Sequence, residues 1–202
     1  MKNIADIKNN TTGVVLAGGK ARRLGGRDKG LVRLADKPMV QYVLEAITPQ
    51  VGHVKINANR NLEDYAAFNC PVISDELDDY CGPLSGMASC LAEIETTYMV
   101  TVPCDSPFIP GDLVERLFLK MEQDDAEISV AHNDERMQPV FLLMKTTLRQ
   151  SILEFLDNGE RKIDKWFEQH KLAITDFSDK PDTFININTE DDLIQVVEKL
   201  VQ

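Results

Sequence analysis

The sequence predicts an α/β protein built as three layers, αβα, around a mainly parallel sheet. Three observations point there. Short runs of β-branched and apolar residues alternate with amphipathic segments along the chain. The 202 residues, 43 % of them hydrophobic, suffice to bury one core as a single domain, 1–202. No repeat, low-complexity tract or long linker breaks the alternation.

Strands are expected over 13–17, 53–58, 71–74, 98–102, 127–131 and 139–144, with short pieces near 173–177 and 183–186. Helices are expected over 38–48, 62–68, 83–94, 111–123, 147–156, 162–169 and 190–200. Pro38 and Pro83 suit first-turn positions, where a missing N–H costs nothing. Thr189, with Asp192 three residues on, has the spacing of a capping box before the last helix. Residues 1–12, MKNIADIKNNTT, read as a polar N-terminal tail without the apolar stretch of a secretory signal. In a parallel sheet covered on both faces, ligands gather beyond the carboxyl ends of the strands. The loop after Ala17, the region 57–60 and the loop after Val102 are therefore expected to be neighbours.

The formal charge is −11, which argues against nucleic-acid and membrane-surface partners. No apolar run approaches the roughly 20 residues that cross a bilayer. Cys70, Cys81, Cys90 and Cys104 form no C-x-x-C pair and the three histidines do not cluster with them. They read as free thiols of a cytoplasmic protein, not as a zinc site. Against this acidic background the stretch LAGGKARRLGGRDKG, 16–30, holds five glycines and the cations Lys20, Arg22, Arg23, Arg27 and Lys29, opposed only by Asp28. Gly18 and Gly19 after a buried strand let the backbone turn and approach a ligand, and amides beside cations suit a polyphosphate. The competing reading is a solvated loop with incidental charge. Neither the P-loop string nor G-x-G-x-x-G occurs.

Asp105 follows the apolar run 98–102 in a proline-bounded turn, VPCDSP. It reads either as a turn former or as the single carboxylate that Mg²⁺ takes alongside phosphate oxygens and water. Asp75, after Val72 and Ile73, is a nucleotide contact or a loop acid, and most of the acidic run beside it reads as solvated. Asn57 closes the run KINAN, with an amide suited to a base or ribose, or to a strand-end turn. Gly82 in CGPLSG permits close backbone approach at a helix start or simply helix–sheet packing. Arg161 in NGERK reads, by itself, as a surface helix cation. Asn186 and Asn188 alternate in ININ and would share one face if extended, reading a ring or stabilising a loop. Trp166 and Phe167 are expected to pack a small helical lobe.

These motifs together resemble the nucleotidyltransferases that activate sugars and cofactors, and most of all the molybdenum cofactor guanylyltransferase family of the nucleotide-diphospho-sugar transferase-like superfamily. The resemblance runs through LAGGKARRLGGRDKG, INANR, ISDELDDYCGPLSGM, VPCDSPFIP, NGERK and ININ, in order, from Gly13 to the last helix. Leu24 stands where the family commonly has methionine, and Gln138 before Pro139 where a histidine is common. The resemblance implies a Rossmann-like sheet of the nucleotidyltransferase type, with a nucleotide-binding half at 13–110 and an acceptor-binding half at 111–202. It implies transfer of GMP from GTP to molybdopterin, with Mg²⁺ as cofactor. It implies Arg23, Lys29 and Asp105 as catalytic residues, Asp105 as metal ligand, and Leu16, Ala17, Gly18, Gly19, Lys29, Asn57, Asp75 and Asp105 around the nucleotide. Gly82, Arg161, Asn186 and Asn188 fall to the acceptor. Guanine is expected against the backbone of residues 16–18, with the bare Gly18 leaving room for it. Relatives with alanine-alanine-glycine there resemble cytidylyltransferases, so Gly18 and Gly19 favour guanine. Other cofactor-biosynthesis proteins and recipient molybdoenzymes are the implied partners. Two alternatives remain at this stage: a sugar phosphate as acceptor, and a non-catalytic adaptor that binds nucleotide or cofactor.

Overall fold

A computed structural model describes residues 4–19, 28–76 and 82–201. Along the chain run α1 (Ile4–Asn9), β1 (Thr11–Leu16), a small hairpin of β2 (Arg33–Leu34) and β3 (Lys37–Pro38), α2 (Met39–Ile47), β4 (His53–Asn57), α3 (Leu62–Ala66) and β5 (Val72–Ile73). Then follow α4 (Pro83–Ala92), β6 (Tyr98–Pro103), α5 (Leu113–Gln123), β7 (Ile128–His132), β8 (Met137–Lys145), α6 (Arg149–Asp157), α7 (Ile163–Phe167), β9 (Leu172–Asp176) and α8 (Glu190–Val201). Seven strands form one sheet in the order β5-β4-β1-β6-β8-β7-β9. Only β8 runs against its neighbours β6 and β7; the remaining pairs are parallel.

Alternation along the strands creates the three layers. Val15, Val100 and Leu143 face α2 and α5, where they pack with Val43, Ile47, Leu117 and Phe118. Their neighbours Val14, Met99 and Leu142 face the opposite way, onto Leu84, Met87, Ile152 and Trp166 of α4, α6 and α7. Both faces of β1 are thus dry, which explains its unbroken apolar run. A third, smaller cluster joins Leu34 and Met39 to Ile187 and Val196, seating α8 on the hairpin.

The chain passes from β1 to β4 and β5 on one side and returns to β6 on the other, so its direction of travel reverses at β1. Leu16 is in register with both Asn57 and Pro103, so β1, β4 and β6 end level with one another. The crevice at such a reversal is where open α/β sheets hold ligands.

Several local expectations need correction. The segment read as a tail carries α1, whose Ile7 is buried, and β1 begins at Thr11 with its hydroxyl bonded to the Ile7 carbonyl at 2.8 Å. The piece near 183–186 is no strand; Pro181 opens a 3₁₀ turn, Pro181–Phe184, whose Phe184 ring meets Phe141 edge-on at 5.2 Å. Pro38 lies just before α2 in extended conformation instead of inside its first turn, whereas Pro83 opens α4 as expected. At α8, Asp192 Oδ2 accepts from the Asn188 and Thr189 amides, both at 2.9 Å, and Thr189 Oγ1 accepts from the Asp192 amide at 3.1 Å. In the lobe around α7, Trp166 is fully buried and its indole N–H donates to Ser151 Oγ at 3.0 Å. No described helix is long and apolar enough to cross a membrane.

Leu143 is fully enclosed on β8, so Leu143→Ala is expected to lower unfolding free energy by about 2–5 kcal/mol, read from denaturant melts.

Candidate active site

The level ends of β1, β4 and β6 open into a cavity of about 890 Å³. Of the residues singled out in the sequence, Leu16, Ala17, Gly18, Gly19, Lys29, Asn57, Asp75, Gly82, Asp105 and Asn186 line it. Sheet pairing continues one step past β1. The Ala17 amide donates to the Asn57 carbonyl at 2.8 Å, and the Cys104 amide to the Leu16 carbonyl at 3.1 Å. The glycine loop therefore leaves from a fixed point between β4 and β6.

Lys29 re-enters on a 3₁₀ turn, Lys29–Leu31, and brings its ammonium to Asp105 Oδ2 at 2.9 Å. The two side chains are 24 % and 15 % exposed, so the pair is partly desolvated yet open to a ligand. Lys29 Nζ also donates to Asn188 Oδ1. The ININ run is laced to the same turn from its other side: the Ile187 amide donates to the Asp105 carbonyl at 3.0 Å, and Ser106 Oγ to Asn186 Oδ1. Cys104, between β6 and Asp105, is packed inside. Burial, with the neighbouring Asp105 charge second, pushes its thiol well above the ordinary range, so it stays neutral.

On the β4 side, Asn57 is buried and its Nδ2 donates to Asp75 Oδ1 at 2.8 Å and to the Ile73 carbonyl at 3.1 Å. Asn59 Oδ1 in turn accepts from the Asp75 amide at 2.8 Å. Close backbone approach makes this possible. A Cβ at Gly86 on α4 would overlap Asn57 Oδ1 and lie 2.9 Å from its Cγ. A Cβ at Gly18 would lie 3.0 Å from Asn59 Nδ2 and 3.2 Å from Asn57 Oδ1. The bareness of Gly18 lets the chain after β1 press onto the two asparagines while Gly18 itself lines the cavity. Gly82 has φ +79°, a left-handed conformation that glycine adopts without strain, and with Pro83 it sets the start of α4 at the cavity wall.

Not every expected residue meets the cavity. Arg161 is absent from its lining; its guanidinium donates to the Leu156 carbonyl at 2.6 Å and to that of Glu160 at 2.7 Å, closing the end of α6. Asn188 is absent from the lining and reaches the site through Lys29 and through the Asn186 carbonyl, to which its Nδ2 donates at 3.4 Å. Arg23 lies outside the described residues. Conversely, Asp28, Arg136, Gln138 and Asp164 line the cavity without having been assigned to it. Asp28 looked like a lone counter-charge, and Arg136 sits in a hairpin tip, NDER, with no motif to mark it. Gln138 is buried and donates to Asn133 Oδ1 at 3.3 Å. Among the described residues no three His, Cys, Asp or Glu side chains gather into a metal cluster.

The model of the MobA-like NTP transferase domain matches residues 13–173. The chain belongs to the MobA-like NTP transferase family. The molybdenum cofactor guanylyltransferase of Shewanella woodyi is 49 % identical over 189 residues, covering 94 % of this chain and 96 % of that protein. That of Shewanella loihica is also 49 % identical, over 93 % of this chain and 95 % of its own. Among solved structures, molybdopterin-guanine dinucleotide biosynthesis protein A from Archaeoglobus fulgidus superposes with a TM-score of 0.79 at 22 % identity, over 94 % of this chain and 98 % of that one. At that identity the likeness shows the nucleotidyltransferase-type fold alone.

Gly86→Ala is expected to displace Asn57 and weaken GTP binding about tenfold, a loss equivalent to about 1.4 kcal/mol. Gly111→Ala, where a Cβ meets nothing within 4 Å, leaves binding unchanged in the same calorimetric titration.

Proposed function

We propose that this member of the family transfers GMP from GTP to molybdopterin, yielding molybdopterin guanine dinucleotide and pyrophosphate. The observation that carries the reading is the Lys29–Asp105 pair, 2.9 Å apart at the mouth of the crevice, in a chain 49 % identical to proteins named for this activity. A terminal phosphate oxygen of molybdopterin attacks the α-phosphorus of GTP. The new P–O bond forms as the bond to the bridging oxygen breaks, and pyrophosphate leaves with that electron pair. The nucleophile is already ionised at neutral pH, so no side chain has to remove a proton.

What the chain supplies is position and field. Lys29, and Arg23 of the same loop, neutralise charge growing on the leaving group. Asn57, braced by Asp75, offers its amide to the nucleoside, and residues 16–19 give the backbone wall. The acceptor enters from the wall that 111–202 contributes, where Asn186 and the cation Arg136 line the cavity, with Gly82 also in its lining. Arg161 and Asn188 serve that side through the backbone of α6 and through Lys29.

Mg²⁺ fits this donor set. Asp105 offers a carboxylate to the cavity, and among the described residues no three His, Cys, Asp or Glu side chains gather around it; such a donor suits a cation whose remaining ligands are phosphate oxygens and water. Asp105 would hold it, and the ion would neutralise phosphate charge. The free thiols of Cys70, Cys90 and Cys104 agree with a cytoplasmic setting. Other cofactor-biosynthesis proteins and recipient molybdoenzymes belong to the same reading, since a dinucleotide cofactor has to reach an apoenzyme.

The direct test is pyrophosphate release from purified protein, molybdopterin, Mg²⁺ and each NTP in turn. GTP is expected to outrun CTP; equal or reversed rates defeat the base assignment, and turnover with a sugar 1-phosphate in place of molybdopterin defeats the acceptor. Asp105→Asn is expected to cut turnover at least about 10²–10³-fold with the circular dichroism spectrum retained. Lys29→Ala is expected to weaken GTP binding, and an unchanged affinity removes Lys29 from the site.

A further inference from the structure

Directly behind Lys29 lies a polar arrangement that the proposed chemistry does not use. Asp28, only 8 % exposed, turns its carboxylate inward. Its Oδ1 accepts from the Tyr65 hydroxyl at 2.5 Å and its Oδ2 from Asn61 Nδ2 at 3.2 Å. Tyr65 belongs to α3 and is fully buried. A carboxylate removed from water is costly unless donors replace its solvation, so this arrangement is an anchor with one stable geometry.

The neighbouring backbone is shaped around it. A Cβ at Gly30 would stand 2.5 Å from the Tyr65 hydroxyl and 3.3 Å from Cys104 Cβ. The turn Lys29–Leu31 is therefore wedged between the phenol and the end of β6. Asn61 enters α3 at φ +51°, a left-handed conformation that asparagine tolerates, and this sets its amide on Asp28. Burial, ahead of the charges around it, pushes the Tyr65 phenol far above its ordinary value, so it remains a donor at any working pH.

We infer that Asp28, Tyr65 and Asn61 form a clamp, buried at Asp28 and Tyr65, that fixes the turn carrying Lys29 and so places its ammonium for the triphosphate. Tyr65 and Asn61 are positioning residues, acting through Lys29 from the α3 side of the sheet. The inference deepens the GTP reading of this cavity and rests on it. The clamp holds the chain at Asp28, one residue before the side chain that meets the ligand. Tilting that peptide moves Nζ away from Asp105 without touching either group.

The test is a double-mutant cycle on GTP affinity, read by calorimetry with Mg²⁺ and no acceptor. Tyr65→Phe keeps the ring and its packing and removes one donor from the carboxylate. It is expected to weaken GTP binding about tenfold, the size of a lost charge-assisted hydrogen bond. In a Lys29→Ala background the same change is expected to weaken it by less than about twofold, because the two act as one unit. Asn61→Gly suits the positive φ and deletes the short side chain with its amide, so it guards against a Tyr65→Phe protein that fails to fold. Its expected loss is about threefold, again suppressed without Lys29. Unchanged affinity in the folded variants, or a loss of equal size with and without Lys29, overturns the clamp. Because GTP binding is read without acceptor, the clamp stands or falls on these affinities even if molybdopterin proves not to be the acceptor.

Discussion

Leu16 stands in register with Asn57 on one side and Pro103 on the other, and so three strands release their chains at one height. Everything in the crevice depends on that alignment. Asn57 is the last residue of β4 and Asp105 lies two past β6, and both line the crevice at the end of β1. A slip of one residue in either pairing would turn its side chains to the opposite face and dismantle the constellation. The register is held by dry residues on both faces of β1, with Val14 and Val15 sealed into opposite layers.

Among the described residues, several of the site's charges answer one another. Lys29 binds Asp105 and Asn188; Asp75 binds Asn57; Asp28 is satisfied from below. A partly desolvated pair such as Lys29 and Asp105 gains its Coulomb energy at a cost in lost hydration, so exchanging one partner for a phosphate is an exchange among near-equals. The surrounding lacing, from Ile187 to the Asp105 carbonyl and from Asp192 to the Asn188 amide, keeps both groups in place during that exchange. The last helix is thereby tied to the nucleotide side of the sheet, although it lies far along the chain.

The layer order and the strand ends were legible because their signals are local and strong: apolar runs before the glycine loop, before Asp75 and before Asp105. What escaped notice had weak or misleading local signals. Strands of two residues, Arg33–Leu34 and Lys37–Pro38, carry no period to detect. The polar start hid a helix that buries Ile7 against the core. ININ looks like alternation, yet a proline and a phenylalanine cluster bend the preceding residues into a turn. Arg161 is expected near the acceptor through the resemblance of NGERK, and its bond to the Leu156 carbonyl of α6 leaves no mark in the sequence. Asp28 looked like a stray acid because its partners, Tyr65 and Asn61, are more than thirty positions away.

The chain has one tryptophan, Trp166, sealed in the layer beneath α4 and α6 and edge-on to His170 at 4.7 Å. It lines no part of the nucleotide crevice. Its fluorescence is therefore an optical clock for the melting of that layer, set by a single indole.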